Sequence, residues 1–255
     1  MEETKPQLAD ARYTLFFKEI EINYQTIHFS LDDASLSSLE SVLQEVKSEL
    51  MRKNNVREET QESMRKATSL SKQAILLIHQ KKYDEAEKFI AGAKDKISSL
   101  QALSKDYPEI IYGGMFSAAL QEYSEACIFL VLVKESRFVT PVEIHVPSTD
   151  YVLGLADVIG EYRRLALDNL REGEVKRGEE CLETMDQVFI QLLALDEAYM
   201  LVPGLRHKSD IARRIIESTR GDVTLEIRRK SLEDQLKKFE PKRQATKRKA
   251  RKGSV

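Results

Sequence analysis

Apolar side chains recur every three or four residues along almost the whole chain after residue 36, which is the spacing of α-helices that bury one face. The first such stretch predicts one very long helix that ends near residue 80, or two helices that break at Asn54-Asn55. Later stretches predict helices over about 83–103, 110–135, 150–171, 175–200, 209–218 and 223–239. No sheet is predicted, so the expected fold is all-α, a single-domain bundle of about seven helices.

Proline and glycine separate these stretches, because both residues interrupt helices. Residues 136–148 contain two prolines and several β-branched residues, which predicts a loop or an extended excursion there. We divide the chain into an N-terminal extension of uncertain structure (1–34), a helical domain (35–240) and a basic tail that we expect to be disordered (241–255).

Composition limits the class of protein. With 10 glycines and 6 prolines in 255 residues, the chain has too few turn-forming residues for a sandwich or a barrel. No stretch reaches the roughly 18 consecutive apolar residues of a membrane span, and the N-terminus lacks the pattern of a secretory signal. We therefore expect a cytoplasmic protein with no membrane partner, and reduced thiols at its 2 cysteines.

Charge is distributed unevenly along the chain. The net charge is −2, but residues 241–255 carry basic side chains and no acidic ones, so the rest of the chain is more acidic than the total suggests. The tail is compatible both with an arm that binds polyanions and with a solvated end. The acidic body does not resemble a simple cationic DNA-coating surface.

Motifs for several kinds of chemistry are missing. The sequence has no P-loop, no G-x-G-x-x-G fingerprint, no G-x-S-x-G elbow and no H-E-x-x-H motif. The histidines contain no pair four residues apart, so a metal site built on imidazole is not expected. Each is interpreted as a surface or core residue: His28, His79, His145 and His207.

Two acidic pairs on apolar helices are the remaining candidates for chemistry. Glu122 and Glu125 are three residues apart, and Asp157 and Glu161 are four apart, so each pair projects from one helix face. Burying like charges costs stability unless a cation or a proton compensates. If the two helices face each other, the four carboxylates form an oxygen-rich site suited to Mg²⁺ or Mn²⁺. The alternative is neutralisation in ion pairs, for which the sequence offers Arg163, Arg164 and Lys134.

A carboxylate-held Mg²⁺ can polarise a phosphodiester, activate a bound water and stabilise charge on the leaving oxygen. Binding of the nucleic acid itself would require basic side chains near the acids. The candidates are Arg163, Arg164, Arg206, Lys208, Arg213 and Arg214. Solvated helix faces commonly carry the same residue types, so this cluster is compatible with both interpretations.

Two sequence blocks resemble the translin superfamily. The first is LQEYSEA at 120–126 and the second is DYVLGLADVIGEYRRL at 150–165. The segments SKQAILLIHQ and LVPGLRHKSDIARRIIESTRGDVT are similar as well. The chain looks most like the translin-associated factor X branch and archaeal members, over about residues 44–239. The N-terminal extension and the basic tail lie outside this resemblance.

The resemblance implies an all-α fold that assembles into hollow octamers and binds single-stranded RNA or DNA. Catalytic members are Mg²⁺-dependent endoribonucleases. By motif, Glu122, Glu125 and Asp157 would be metal ligands, and Glu161 a ligand or a base beside them. We therefore expect a metal-dependent endoribonuclease that uses Mg²⁺ or Mn²⁺ and acts as a homo-oligomer or beside a second translin-like subunit. The alternatives are a single-stranded nucleic-acid-binding protein without catalysis and a purely structural helical assembly protein.

Overall fold

The computed structural model describes the backbone of residues 33–252 and the side chains of residues 36–238, except residues 196 and 198. Eight α-helices and one 3₁₀-helix make up this part of the chain. The α-helices are α1 Asp33–His79, α2 Tyr83–Leu103, α3 Pro108–Ile111, α4 Gly114–Glu135, α5 Pro141–Ile144, α6 Ser148–Arg171, α7 Val175–Leu193 and α8 Leu205–Lys252, and the 3₁₀-helix is Asp196–Leu201.

The predicted all-α class is confirmed, since the described residues contain no strand. Contacts divide the chain into two units, Met1–Asn55 and Val56–Val255. Within the second unit, α6 packs against α4, α7 and α8, while α7 packs against α8 and α2 against α4. The predicted extension 1–34 lies almost entirely outside the described residues. The predicted division of the chain into domains therefore stays a prediction.

Helix α4 is apolar on nearly all sides, and the structure buries most of it. It is the one described helix whose length and composition would allow it to cross a membrane. Of its most apolar segment, 67% is buried inside the protein. Phe129 on this helix is fully buried, and its ring centroid lies 5.8 Å from that of Tyr162 on α6. Tyr123 and Tyr162, which flank the acidic pairs in sequence, lie in this core, as do the free thiols of the two cysteines.

Helix α1 continues through Asn54-Asn55, which is the first of the two predicted alternatives. Other predicted helix boundaries differ from the structure. Helix α8 is one helix instead of two, because a single glycine such as Gly221 costs only about 1 kcal/mol in a helix interior. The predicted loop at 136–148 contains the short helix α5, which the Thr140–Glu143 capping box stabilises. Helix α7 ends at Leu193, before the predicted end at residue 200, and helical backbone extends to Lys252 in the tail.

Replacing Phe129 with alanine is expected to lower the free energy of unfolding by about 3–5 kcal/mol, because the surrounding helices cannot collapse into the space the ring leaves. The matched control is Val142→Ala on α5, whose side chain is 82% exposed and which should change stability by less than about 0.5 kcal/mol. Urea denaturation followed by circular dichroism measures both. A Phe129→Ala protein as stable as the control would contradict this description of the core.

Candidate functional site

Helices α4 and α6 approach each other at backbone distance around Gly154. A Cβ atom at this position would lie 2.7 Å from the Gln121 carbonyl oxygen, 2.7 Å from Ser124 Cβ and 3.0 Å from the Glu125 nitrogen. Only glycine fits such a contact, because real Cβ atoms do not come this close to backbone. The contact therefore fixes the separation of the two helices one turn before the acidic residues of α6.

Hydrogen bonds extend this helix contact in the N-terminal direction. The Ser117 hydroxyl donates to the Asp150 carboxylate, and Gln121 Nε2 donates to Ser117 Oγ at 3.0 Å. Ser117 and Gln121 are one turn apart on α4, as Asp150 and Gly154 are on α6. The contacts thus follow the same order along both helices, which places Glu125 beside the acidic turn of α6.

Glu125 is a buried carboxyl group at the centre of the acidic cluster, with a side chain from which water is nearly excluded. Burial is the largest cause that raises the pKa of Glu125, followed by the negative charges of Asp157, Glu161 and Glu122, and the resulting value is about 9. These three residues are the other members of the two predicted pairs. The structure therefore brings all four predicted acids into one electrostatic cluster.

Three of the four acids have a basic partner within the chain. Lys72 Nζ lies 3.2 Å from Glu122 Oε1, and His79 Nε2 lies 2.6 Å from Glu161 Oε2. Lys208 Nζ donates to the Asp157 carboxylate. Among the described residues, Glu125 is the one member of the cluster without an ion pair. The lysine ammonium groups and the proton on Glu125 thus offset part of the negative charge of the cluster, and His79 contributes a hydrogen bond.

Lys208 and His79 are the two most restrained of these basic partners. Besides Asp157, Lys208 Nζ donates to Gln121 Oε1 at 3.2 Å and to the Leu153 carbonyl oxygen at 3.3 Å. The His79 side chain is 3% exposed and its ring centroid lies 5.0 Å from that of Phe129. Its Nδ1 atom is buried without a hydrogen-bond partner among the described residues. Both side chains are held inside the site and do not point to solvent.

The donor set matches a hard divalent cation, because carboxylate oxygens are the ligands that Mg²⁺ and Mn²⁺ prefer. Within the described residues, however, no three Asp, Glu, His or Cys side chains are arranged to hold a metal ion. The Asp157 carboxylate is turned towards Lys208 and that of Glu122 towards Lys72. The carboxylate oxygens and the negative charge of the cluster fit a cation, provided that the cation takes the place of the Lys208 and Lys72 ammonium groups.

The predicted neutralising residues are the wrong ones. Ion pairs do form, but Arg163 donates to Thr219 Oγ1 at 2.7 Å and lies 3.5 Å from Asp222. Lys134 pairs with Glu87 instead of an acid of the cluster, and Arg164 is exposed. Sequence position misled the prediction, because residues adjacent to an acid in a helix point in other directions.

Not all of the residues proposed for nucleic-acid binding are free to contact a ligand. Lys208 faces the acids, and Arg163 is occupied between α6 and α8. The other residues of this set on α8 are exposed: Arg206, Arg213 and Arg214. Arg213 lies 5.9 Å from the centre of the Phe189 ring. Arg206 and Arg213 are seven residues apart and share a helix face from which Lys208 is turned away.

Sequence reasoning missed Lys72 and the role of His79. These residues are seven apart on α1, so both face the same neighbour across two helical turns. A seven-residue spacing of basic residues in a strongly charged helix is too common to single them out. Their distance from the acids in sequence hid the contact, which for His79 and Glu161 spans 82 positions.

Comparison with known proteins identifies the family. The Translin family model matches residues 55–241, a range that contains all four acids and their three basic partners. The chain belongs to the Translin family. An uncharacterized protein of Methanocaldococcus jannaschii is 31% identical over 195 residues, which cover 75% of this chain and 85% of that protein.

Solved structures agree with this membership. The crystal structure of AfC3PO is similar to this chain at 33% identity and a TM-score of 0.65, over 72% of this chain and 96% of AfC3PO. A complex of AfC3PO with duplex RNA gives 32% identity and a TM-score of 0.64, over 72% and 95% of the two chains. Apo-NeC3PO, at 22% identity and a TM-score of 0.65, shares the fold over 72% of this chain and 96% of its own.

Replacing Gly154 with alanine is expected to lower the free energy of unfolding by about 1–3 kcal/mol, because the added methyl group forces α4 and α6 apart. Gly160→Ala on the same helix is the matched control, since nothing beyond its chain neighbours and the nearby backbone of its own helix lies within 4 Å of the position its Cβ would take. Alanine should be neutral there or stabilise the helix by up to about 1 kcal/mol. Chemical denaturation of both variants tests the difference, and equal effects would contradict the close approach at Gly154.

The pH dependence of stability is expected to change in Glu125→Gln. Between the ordinary glutamate pKa of 4.5 and the folded value of about 9, the folded protein holds a proton that the unfolded chain has lost. The free energy of unfolding of the wild type therefore falls as pH rises through this range.

Glutamine carries no such proton, so the Glu125→Gln protein should lose less stability between pH 5 and pH 9. Denaturation in the presence of EDTA measures the slopes, with the exposed Glu180→Gln on α7 as control. Identical slopes for all three proteins would show that Glu125 is ionised in the folded chain.

Proposed function

We propose that this protein is a metal-dependent endoribonuclease of the translin-associated factor X type. The observation that supports the proposal most directly is the cluster of four acids between α4 and α6, with Glu125 buried at its centre. A protein that only needed a stable core would gain nothing from four carboxylates in one place, since their mutual repulsion and desolvation cost stability. A bound cation would compensate this cost, because its positive charge attracts all four carboxylates.

RNA is the proposed substrate. The AfC3PO structure with duplex RNA shows that a relative of 32% identity binds RNA, and the resemblance of the sequence blocks implies single strands. On this chain the exposed Arg164, Arg206, Arg213 and Arg214 are the residues of the predicted set that remain available for phosphates. Each phosphate that they neutralise would release counterions and make binding sensitive to salt.

Glu122, Glu125, Asp157 and Glu161 would hold the proposed Mg²⁺ or Mn²⁺. When bound, such an ion supplies Lewis-acid polarisation of the phosphodiester and a more acidic bound water. The chain's own residues prepare the site: Lys208 holds Asp157 until a cation replaces its ammonium group, and His79 Nε2–H donates to Glu161 and fixes its rotamer. Glu125 must give up its proton on ligation, so cation affinity should increase with pH.

We further propose that the protein works as a homo-oligomer, with the octamer of the family as the expected assembly. A second translin-like subunit is the alternative arrangement. The two are distinguished by whether the purified chain alone cleaves RNA, because a chain that needs a partner would bind RNA and leave it intact.

The second candidate function is single-stranded nucleic-acid binding without catalysis. The basic partners that Glu122, Asp157 and Glu161 have within the chain favour it, since a structural cluster needs no cation. The two functions make opposite predictions for RNA incubated with Mg²⁺, because only the nuclease shortens it.

Asp157→Asn is expected to reduce RNA cleavage by about 100-fold or more, because it removes a proposed cation ligand without changing side-chain size. The matched control is Asp186→Asn on α7, an aspartate that also pairs with a basic residue, Arg220, at 2.8 Å. Cleavage of fluorescent single-stranded and duplex RNA with Mg²⁺ or Mn²⁺ is measured for both variants and the wild type. RNA binding by all three proteins, measured by fluorescence anisotropy in EDTA, should be similar.

Cleavage by the wild type and the Asp186→Asn control, and its loss with EDTA, would support the nuclease. Equal cleavage by the Asp157→Asn protein would reject the acidic cluster as the active site. Tight binding without cleavage by any of the three would favour the second candidate function or a missing subunit.

A further inference from the structure

The N-terminal part of α1 carries a row of exposed apolar side chains that the acidic site does not use. This row lies before residue 55, where the family match begins. Its members are 43–61% exposed, although burial of a leucine or valine side chain away from water is energetically favourable. The row, which we call the N-terminal stripe, consists of Leu36, Leu39, Leu43, Val46 and Leu50.

The spacing within the N-terminal stripe alternates strictly between three and four residues. This is the a and d pattern of a heptad repeat, which keeps one apolar seam facing another helix. Serines lie on the opposite side, with Ser41 and Ser48 seven residues apart and exposed. A helix that met only solvent would not need such a seam, so the stripe has the pattern of a helix that pairs with a second one.

We propose that the N-terminal stripe pairs with the same stripe of a second copy of this chain, in antiparallel orientation. The stripe is self-complementary in this arrangement, as a two-fold interface requires. Leu39 of each copy faces Leu50 of the other, and Leu43 faces Val46. Leu39, Leu43, Val46 and Leu50 of the two copies thus form four apolar layers without a gap, and Leu36 lies beyond these layers at the end of the pair.

Charge beside the seam selects the antiparallel orientation. Glu40 and Lys47 occupy e positions and are both exposed, and e positions of antiparallel helices lie opposite each other. Glu40 of one copy therefore meets Lys47 of the other, and the pair forms twice. In a parallel pair Lys47 would lie beside Val42 and Glu49 beside Asn54, so no opposite charges would meet.

Cysteine cross-linking tests this arrangement in the full-length chain. L39C and L50C proteins with distinguishable tags are co-expressed, purified and oxidised mildly, and disulfide-linked dimers are measured on non-reducing gels. The native thiols Cys127 and Cys181 are buried, so the new cysteines react selectively. S41C co-expressed with S48C is the matched control, because these positions lie at the same height along the pair and point away from it.

The proposal expects a mixed L39C–L50C dimer at several times the yield of the Ser41/Ser48 control, and little dimer from L39C or L50C alone. Adding E40K should lower this yield, and adding E40K together with K47E should restore it. Efficient dimers from L50C alone would overturn the antiparallel orientation. A mixed yield no higher than the control would overturn self-association and point to coverage of the stripe by residues 1–32 or by another protein. Circular dichroism verifies that each variant folds.

Discussion

The close contact between α4 and α6 at Gly154 is the constraint on which the candidate site depends. Each helix carries one acidic pair, and neither pair alone forms an oxygen-rich site. The missing Cβ at Gly154 lets the backbones meet at a distance that any other residue would increase. Ser117 and Asp150 hold the same contact one turn earlier, so the separation of the helices is fixed over several turns before the acids.

The electrostatic cost of the cluster explains the residues around it. Four carboxylates in a partly buried space repel each other and lose hydration. The chain offsets this cost with the ammonium groups of Lys72 and Lys208, with a hydrogen bond from His79, and with the proton that burial retains on Glu125. Under the proposed function, a divalent ion would take positions that the lysine ammonium groups occupy here. The same observation explains why the described side chains form no ready-made metal cage.

Much of the fold was accessible from sequence because helical periodicity is a local signal. The acidic pairs on α4 and α6 were found in the same way, since burial of a charge is visible wherever an acid interrupts an apolar stretch. The partners of these acids were not accessible, because Lys72 and His79 lie on α1 and Lys208 on α8, far away in sequence. Helix ends in α8 were misjudged because Gly221 was taken as a breaker, although a helix tolerates one glycine.

The proposed function requires that Glu122, Glu125, Asp157 and Glu161 form one cation site. Mn²⁺ titration followed by electron paramagnetic resonance tests it without reference to RNA cleavage. We expect one Mn²⁺ bound per chain in the wild type and in the Asp186→Asn control, and binding weakened by about tenfold or more in Glu125→Gln. Equal Mn²⁺ binding by all three proteins, or binding by none of them, would contradict it.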